Sequence, residues 1–181
     1  MSVITFRPLE RADSEILSRF VGRLSEESLY RRFMSPVHRL EQVHLRRLLN
    51  VDHKNREAII GLLAGEVIGV GRYSRTASAS AEFAVVVADR FQRLGVAREL
   101  LSRLAILALA RGITEFTFTA HADNLPIIRL VRKLVTDPTL KFTGPEVEGR
   151  FDIIDLTSYS PDYPVRETDD QAVAGAGSDN P

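Results

Sequence analysis

The chain has no cysteine among its 181 residues. Disulfides, thiolate metal sites and a cysteine nucleophile are therefore excluded. It has no charge surplus either: Lys plus Arg total 24 and Asp plus Glu total 24. That balance leaves no basic field for nucleic acid and no polybasic anchor for a membrane surface. The first 20 residues carry Arg7, Glu10, Arg11, Asp13, Glu15 and Arg19, so no apolar run there is long enough for a signal peptide or a membrane span. A cytoplasmic protein is expected. Histidine is scarce, and His38, His44, His53 and His121 show no ligand pairing at helical spacing. They read as surface or loop residues, and no metal site is expected. What remains is an ordinary globular composition, 44% hydrophobic, in a length that suits one domain with a real core.

Hydrophobic spacing predicts the elements. Val3, Ile4 and Phe6, closed by Pro8, read as an opening strand. Asp13 or Ser14 can cap a helix whose stripe is Ile16, Leu17, Phe20, Val21 and Leu24. Ser25 starts a second helical piece that ends near Pro36, and Leu40, Val43, Leu45 and Leu48 suggest a third. Ala58 to Leu63 and Glu66 to Tyr73, parted by Ala64-Gly65, predict a hairpin, and Ser74 to Ser80 a loop. A strand to Ala88, a helix from Arg98 to Arg111, a strand through Phe116, Phe118 and Ala120, and a helix opening at Pro126 follow. Leu140 to Thr143 and Arg150 to Leu156 read as a last hairpin. The order β-α-α-α-β-β-β-α-β-α-β-β predicts an α/β (α+β) fold, a central mixed sheet with helices on both faces, and a parallel crossover over residues 82 to 120. The domain is expected to span 1–157. The polar, small-residue tail 158–181 cannot bury enough apolar surface to offset its ordering entropy and is expected to be disordered.

One stretch carries chemistry. An apolar β-branched strand, Phe83 to Ala88, runs into a polar loop, then Gln92-x-x-Gly95-x-Ala97, then an amphipathic helix. First-turn N–H groups lack helical partners and carry the positive end of the helix dipole, so this geometry binds anions. Gly95 and Ala97 would let a phosphate approach the main chain, although small residues at a helix start also fit simple close packing. Glu82 begins the strand and is a candidate proton acceptor.

This loop resembles the acyl-CoA pyrophosphate loop of the Gcn5-related N-acetyltransferases, Gln/Arg-x-x-Gly-x-Gly/Ala, with Gln92, Gly95 and Ala97 matching and Leu94 standing where a basic residue is common. A second stretch, Asn124-Leu125-Pro126-Ile127-Ile128-Arg129-Leu130-Val131-Arg132-Lys133-Leu134, is similar to the family's Asn-x-x-(Ala/Met)-x-x-Leu-Tyr-x-Lys helix. Val131 replaces the tyrosine that protonates the leaving thiolate in many relatives, and Val135-Thr136 replaces Gly-Phe. Ser25-x-x-Ser28-x-Tyr30-Arg31-Arg32-Phe33 and Ala81 to Val85 resemble bacterial protein-lysine acetyltransferases, members of which acetylate acyl-CoA synthetases.

The resemblance implies a GNAT acyl-CoA N-acyltransferase fold and acetyl-CoA as co-substrate. It implies Glu82 as general base and a cofactor site of Val85, Val86, Val87, Gln92, Arg93, Leu94, Gly95, Val96, Ala97, Arg98, Asn124 and Lys133. Arg93 and Arg98 could neutralise phosphate charge or be solvated helix-start residues. Tyr30, Arg31 and Arg32 could wall an acceptor groove, or Tyr30 and Phe33 could be helix core. The implied function is acetylation of lysine side chains of a protein. Its alternatives are a small-amine N-acetyltransferase and a silent acyl-CoA sensor.

Overall fold

The computed structural model describes residues 3–34 and 42–158, with the side chains of 42–44 excepted. The end of the second predicted helix near Pro36, Leu40 and the tail beyond Ser158 lie outside the described residues. Seven strands form one sheet: β1 (Ile4–Pro8), β2 (Arg56–Leu63), β3 (Glu66–Arg75), β4 (Ser80–Val87), β5 (Glu115–His121), β6 (Thr139–Thr143) and β7 (Glu146–Asp152). Their order across the sheet is β1-β2-β3-β4-β5-β7-β6. β4 and β5 pair parallel and every other neighbour pair is antiparallel.

Alternation along the strands divides the core in two. Ile59, Ile68, Tyr73, Phe83 and Val87 face one side, where α4 (Val96–Leu109) and α5 (Leu125–Leu134) cover them. Ala58, Ile60, Val67, Val70 and Val86 face the other, beneath α1 (Ser14–Val21) and α3 (Gln42–Leu48), with α2 (Glu26–Phe33) beside them. The mixed sheet with helices on both faces is therefore present. α4 rests directly on β3 at Gly69 and Gly71: a Cβ at Gly71 would stand 3.0 Å from Leu104 Cδ1 and 3.1 Å from Leu100 Cβ. Those glycines are unremarkable in a hydrophobic pattern, yet they set the height of the helix that starts at the candidate site.

Some boundaries and one cap differ from the sequence reading. β3 continues to Arg75, because Ser74 pairs with Glu82 and Arg75 with Ala81; only 76–79 form the loop. The final strand stops at Asp152, whose carboxylate accepts the Ile154 N–H at 2.9 Å and turns the chain into a short helix, α6 (Ile154–Thr157). Asp13 occupies the N-cap position of α1 without capping it. Its carboxylate instead takes two hydrogen bonds from Arg7 at 2.7 Å and one from the Glu10 N–H at 2.8 Å. The Arg7 hydrogen bonds hold the Asp13 carboxyl below the usual carboxylate range despite burial.

A buried ion network ties sheet to helix. Glu57, 1% exposed, accepts from Arg111 Nη2 at 3.0 Å and from the Ala58 N–H at 3.1 Å, and meets His53 Nδ1 at 2.8 Å. Arg111 Nη1 also donates to the Tyr73 hydroxyl at 3.1 Å. Breaking a buried pair costs more than the pair contributes, because the surviving charge stays desolvated. With Arg111 partly exposed, Arg111→Met is expected to cost about 2–3 kcal/mol. Thermal unfolding should then show a melting point lower by about 5–10 °C. An unchanged melting point would show that solvent already satisfies Glu57.

Candidate functional site

The parallel ladder between β4 and β5 holds only Ser80↔Glu115, Ala81↔Phe116 and Glu82↔Thr117. β4 runs on to Val87 and β5 to His121 beyond that ladder, so a cleft opens between two neighbouring strands. The Ala88 N–H donates to Ile68 O on β3 at 2.9 Å. Strand alternation then turns the backbone groups of Val85 and Val87 the other way, toward the cleft. Those are main-chain donors and acceptors at the mouth of an open wedge.

Above β4 the chain makes a 3-10 turn, Asp89–Phe91, and passes through Arg93 at φ 63° and Gly95 at φ 86°. Two left-handed residues so close together fold the main chain back, and successive N–H groups in such a turn make an anion-binding concavity. Gly95 occupies the N-cap position of α4, where the Glu99 N–H to Gly95 O bond at 3.0 Å opens the helix. Val96, Ala97 and Arg98 thus have N–H groups ahead of the first intrahelical bond. A Cβ at Gly95 would meet nothing within 4 Å, so the main chain there faces open space. The helix begins at Val96, two residues earlier than its stripe suggests, and the Val96 side chain is buried in the core.

The other cradle side chains divide by direction. Gln92 Nε2 donates to Val87 O at 3.1 Å and to Ser28 Oγ at 3.3 Å, so its amide group ties the loop to β4 and α2. Arg93 and Leu94 are exposed, Leu94 at 57%. Arg98 and Lys133 line one surface hollow of about 410 Å³ with Ser102 and Asp155. Asn124 is buried, and its Oδ1 accepts the Ile127 N–H at 3.5 Å, capping α5 at the end of β5. Val131 is 1% exposed in the core.

Sequence reasoning missed how α2 is fastened to this loop. Ser25 donates to Asp89 through its hydroxyl (2.7 Å) and its N–H (3.1 Å), and the Ser28 hydroxyl donates to the same carboxylate at 2.9 Å. Burial pushes the Asp89 carboxyl up, but these hydrogen bonds outweigh it and hold the group below its ordinary value. Ser25-x-x-Ser28 was visible as a motif. Its partner, more than sixty residues on, carried no local signal.

Glu82 is exposed and stands between Ser74 of β3 and Thr117 of β5, on the face of the sheet that α2 overhangs. Arg32 from α2 and Arg72, which pairs across from Ala84, stand near it. Burial and the charge of Arg72 push the Arg32 guanidinium down to about 10, with Glu82 acting in the opposite sense. Arg72 itself donates to the carbonyl oxygens of Arg47 and Asn50, fastening α3 beside this face. Tyr30 is not helix core: it is 40% exposed and stacks on His121, with ring centroids 4.4 Å apart and planes 7° from parallel. Phe33, by contrast, packs against the core. Among the described residues, no group of three or more His, Cys, Asp or Glu could hold a metal, and no helix is long and apolar enough to cross a membrane.

Comparison with known proteins gives this geometry its context. The model of the acetyltransferase (GNAT) family matches residues 24–134, from the start of α2 to the end of α5. Acetyltransferase PA5475 of Pseudomonas aeruginosa is 28% identical over 126 residues, 67% of this chain and 68% of that protein. The GNAT domain of PAT from S. lividans is 32% identical, with a TM-score of 0.74 over 81% of this chain and 89% of that one. The spermidine N-acetyltransferase from Vibrio cholerae, solved with CoA and spermine, shares the fold at 17% identity and a TM-score of 0.62, covering 84% of this chain and 97% of that one.

Proposed function

The chain belongs to the GNAT acetyltransferase family, and from that premise we propose that this acetyl-CoA-dependent N-acetyltransferase acetylates lysine side chains of a protein. The observation that carries the acceptor class is the charge around Glu82. An exposed carboxylate lies on an open face walled by the exposed Tyr30 and by Arg32 and Arg72. Guanidinium groups there repel a polycation such as a polyamine and attract acidic residues beside a target lysine.

In this reading the pyrophosphate of acetyl-CoA sits against the main chain from Gln92 to Arg98, where Gly95 leaves the backbone bare. Gln92 shapes that loop through Val87 and Ser28, Arg93 supplies positive charge at its rim, and Leu94, Val96 and Ala97 contribute backbone. The pantetheine arm lies along Val85, Val86 and Val87 as an added strand near Asn124, pairing with the main chain of Val85 and Val87 while Val86 stays bonded to β3, and one cleft-facing N–H polarises the thioester carbonyl. Arg98 and Lys133 flank the cofactor from their shared hollow.

A free lysine has a pKa near 10.4, so roughly one in two thousand is neutral at pH 7. Glu82 takes the ammonium proton, directly or through one water, and the neutral nitrogen attacks the thioester carbon. The C–N bond forms, the C–S bond breaks with its electron pair going to sulfur, the nitrogen's second proton is lost to solvent, and CoA leaves as thiolate, which takes a proton from solvent.

The test is thiol release from acetyl-CoA against a panel holding an acyl-CoA synthetase, lysine peptides with acidic or basic flanks, free amino acids and polyamines. The synthetase or the acidic-flanked peptides should give the highest kcat/KM, with the acetyl group on lysine Nζ by mass spectrometry. Faster turnover of a polyamine or free amino acid would overturn the acceptor assignment.

A further inference from the structure

Glu82 stands at a boundary on its face of the sheet. Toward β3 that face is covered: the core beneath α1 and α3 takes side chains from β2, β3 and β4 and none from β5, β6 or β7. Toward β5 it is bare. The pairs Glu82↔Thr117, Thr117↔Arg150 and Thr139↔Arg150 carry the face across β5, β7 and β6. Strand alternation puts Thr119, Lys141, Thr143, Glu146 and Glu148 on it as well, all exposed. Phe116, Phe118, Val147 and Phe151 point the opposite way, into the core.

The bare half also has a sign. It carries four carboxylates, Glu115, Glu146, Glu148 and Asp152, against two cations, Lys141 and Arg150. Glu115 is held by Arg150 at 3.6 Å and by the Ser80 hydroxyl at 2.8 Å, and Asp152 accepts the Ile154 N–H. Glu146 lies between His121 and Thr143 in the ladders, and Glu148 between Thr119 and Lys141. Among the described residues no ion pair engages either one. A solvated polar face is ordinary for antiparallel strands. This one, however, adjoins the carboxylate that has to meet the target lysine. A lysine reaches only as far as its four-carbon stem, so the chain on either side of it must rest next to Glu82. Arg32 and Arg72 occupy the β3 side, and the described residues leave the other side open.

We propose that the acceptor protein docks on the bare face of β5, β7 and β6, where Glu148 and Glu146 take a basic side chain that accompanies the target lysine. This rests on the reading that the acceptor is a protein. Glu148 stands two strands across and two residues along from Glu82, roughly 12 Å away at about 4.8 Å per strand and about 3.4 Å per residue. An extended segment covers that span in about four residues, an even count that keeps both side chains on one side of the segment. Recognition is then bipolar: Arg32 and Arg72 receive an acidic residue on one side of the lysine, and Glu146 and Glu148 a basic one on the other.

The test uses the full chain, acetyl-CoA, n-butylamine and capped alanine-serine peptides with one lysine. The peptides carry a single arginine about four positions before the lysine, the same distance after it, or none. One of the two arginine peptides should show a KM about three- to tenfold below that of the neutral peptide, the scale of exposed charge pairs, with kcat unchanged. Glu146→Lys with Glu148→Lys should remove that advantage, and glutamate in place of the peptide's arginine should restore it. Both side chains are exposed, so the melting point should hold, and n-butylamine, which has no flanking chain, should react as before. Three results would each overturn the docking: no advantage for either arginine peptide, an advantage that survives the double substitution, or an equal loss with n-butylamine. A wild-type protein that turns over n-butylamine or a polyamine faster than every peptide and the synthetase would overturn the protein-acceptor reading and the docking together. A flat response to charge reversal, with a peptide or the synthetase still preferred, would overturn the docking alone.

Discussion

Glu82→Gln is expected to lower kcat by about 10²- to 10⁴-fold, the usual worth of a positioned general base, while CoA affinity and the melting point stay where they are. The substitution is nearly isosteric and the side chain is exposed, so no core contact is lost. The Glu82 backbone stays in both ladders, facing Ser74 and Thr117. What changes is the capacity to accept a proton at the one place on β4 where a carboxylate stands beside the opening of the cleft. Because the barrier removed is deprotonation, acceptors of lower pKa should lose least: an amine already neutral at the assay pH needs no base. A plot of log kcat against amine pKa should therefore steepen in the variant. Arg32→Ala separates base from field. It removes a neighbouring positive charge but not the carboxylate, so it should raise KM for an acidic-flanked peptide and leave the small-amine rate alone. If Glu82→Gln kept full turnover on the preferred acceptor, the base would have to be another group or bulk water.

Much of this site could be read along the chain because its parts are local. The strand Phe83 to Ala88, the loop through Gly95 and the helix behind it are contiguous, and a β-branched run followed by a small-residue turn and a 3.6-residue stripe specifies that unit almost alone. The order of strands and α-helices survived for the same reason, and among the described residues α6 and the short 3-10 turns were absent from it. What could not be read depends on partners far apart in sequence. Gln92 matched a cofactor motif, but only the folded chain shows its amide donating to Val87 and Ser28. Asp89 gave no sign that it holds Ser25 and Ser28. His121 looked like a loop or surface histidine, and its unpartnered nitrogen and its stack on Tyr30 exist only in three dimensions. Gly69 and Gly71 read as plain strand residues until α4 is seen resting on them. Local pattern fixes elements, whereas their separation and the direction of polar side chains are settled by tertiary packing.

Gly95→Glu should abolish acetyl-CoA binding and leave the domain folded. Nothing in the protein stands within 4 Å of a Cβ built at Gly95, so the new side chain meets no steric block. The backbone there is at φ 86°, a left-handed conformation that costs an L-residue about 1–2 kcal/mol. A negative charge at a helix N-terminus returns about 0.3–1 kcal/mol of that, so the net loss of stability is small. The effect on the ligand is large. A carboxylate beside a pyrophosphate faces repulsion of about 4 kcal/mol for each unit charge near 4 Å at a surface-like effective dielectric. That corresponds to about 10²- to 10³-fold in affinity before steric exclusion is counted. Gly95→Ala is the control: it carries the same backbone strain in free and bound protein and adds one methyl group without charge, so its affinity should fall far less. Calorimetry with CoA on both variants, each shown folded by circular dichroism, reads the difference. The Gly95→Glu loss should also shrink at high salt, since repulsion at an exposed loop is screened within about 10 Å at 0.1 M. Unchanged CoA affinity in a folded Gly95→Glu protein would place the pyrophosphate elsewhere, and the roles given to Gln92 through Arg98 would fall with it.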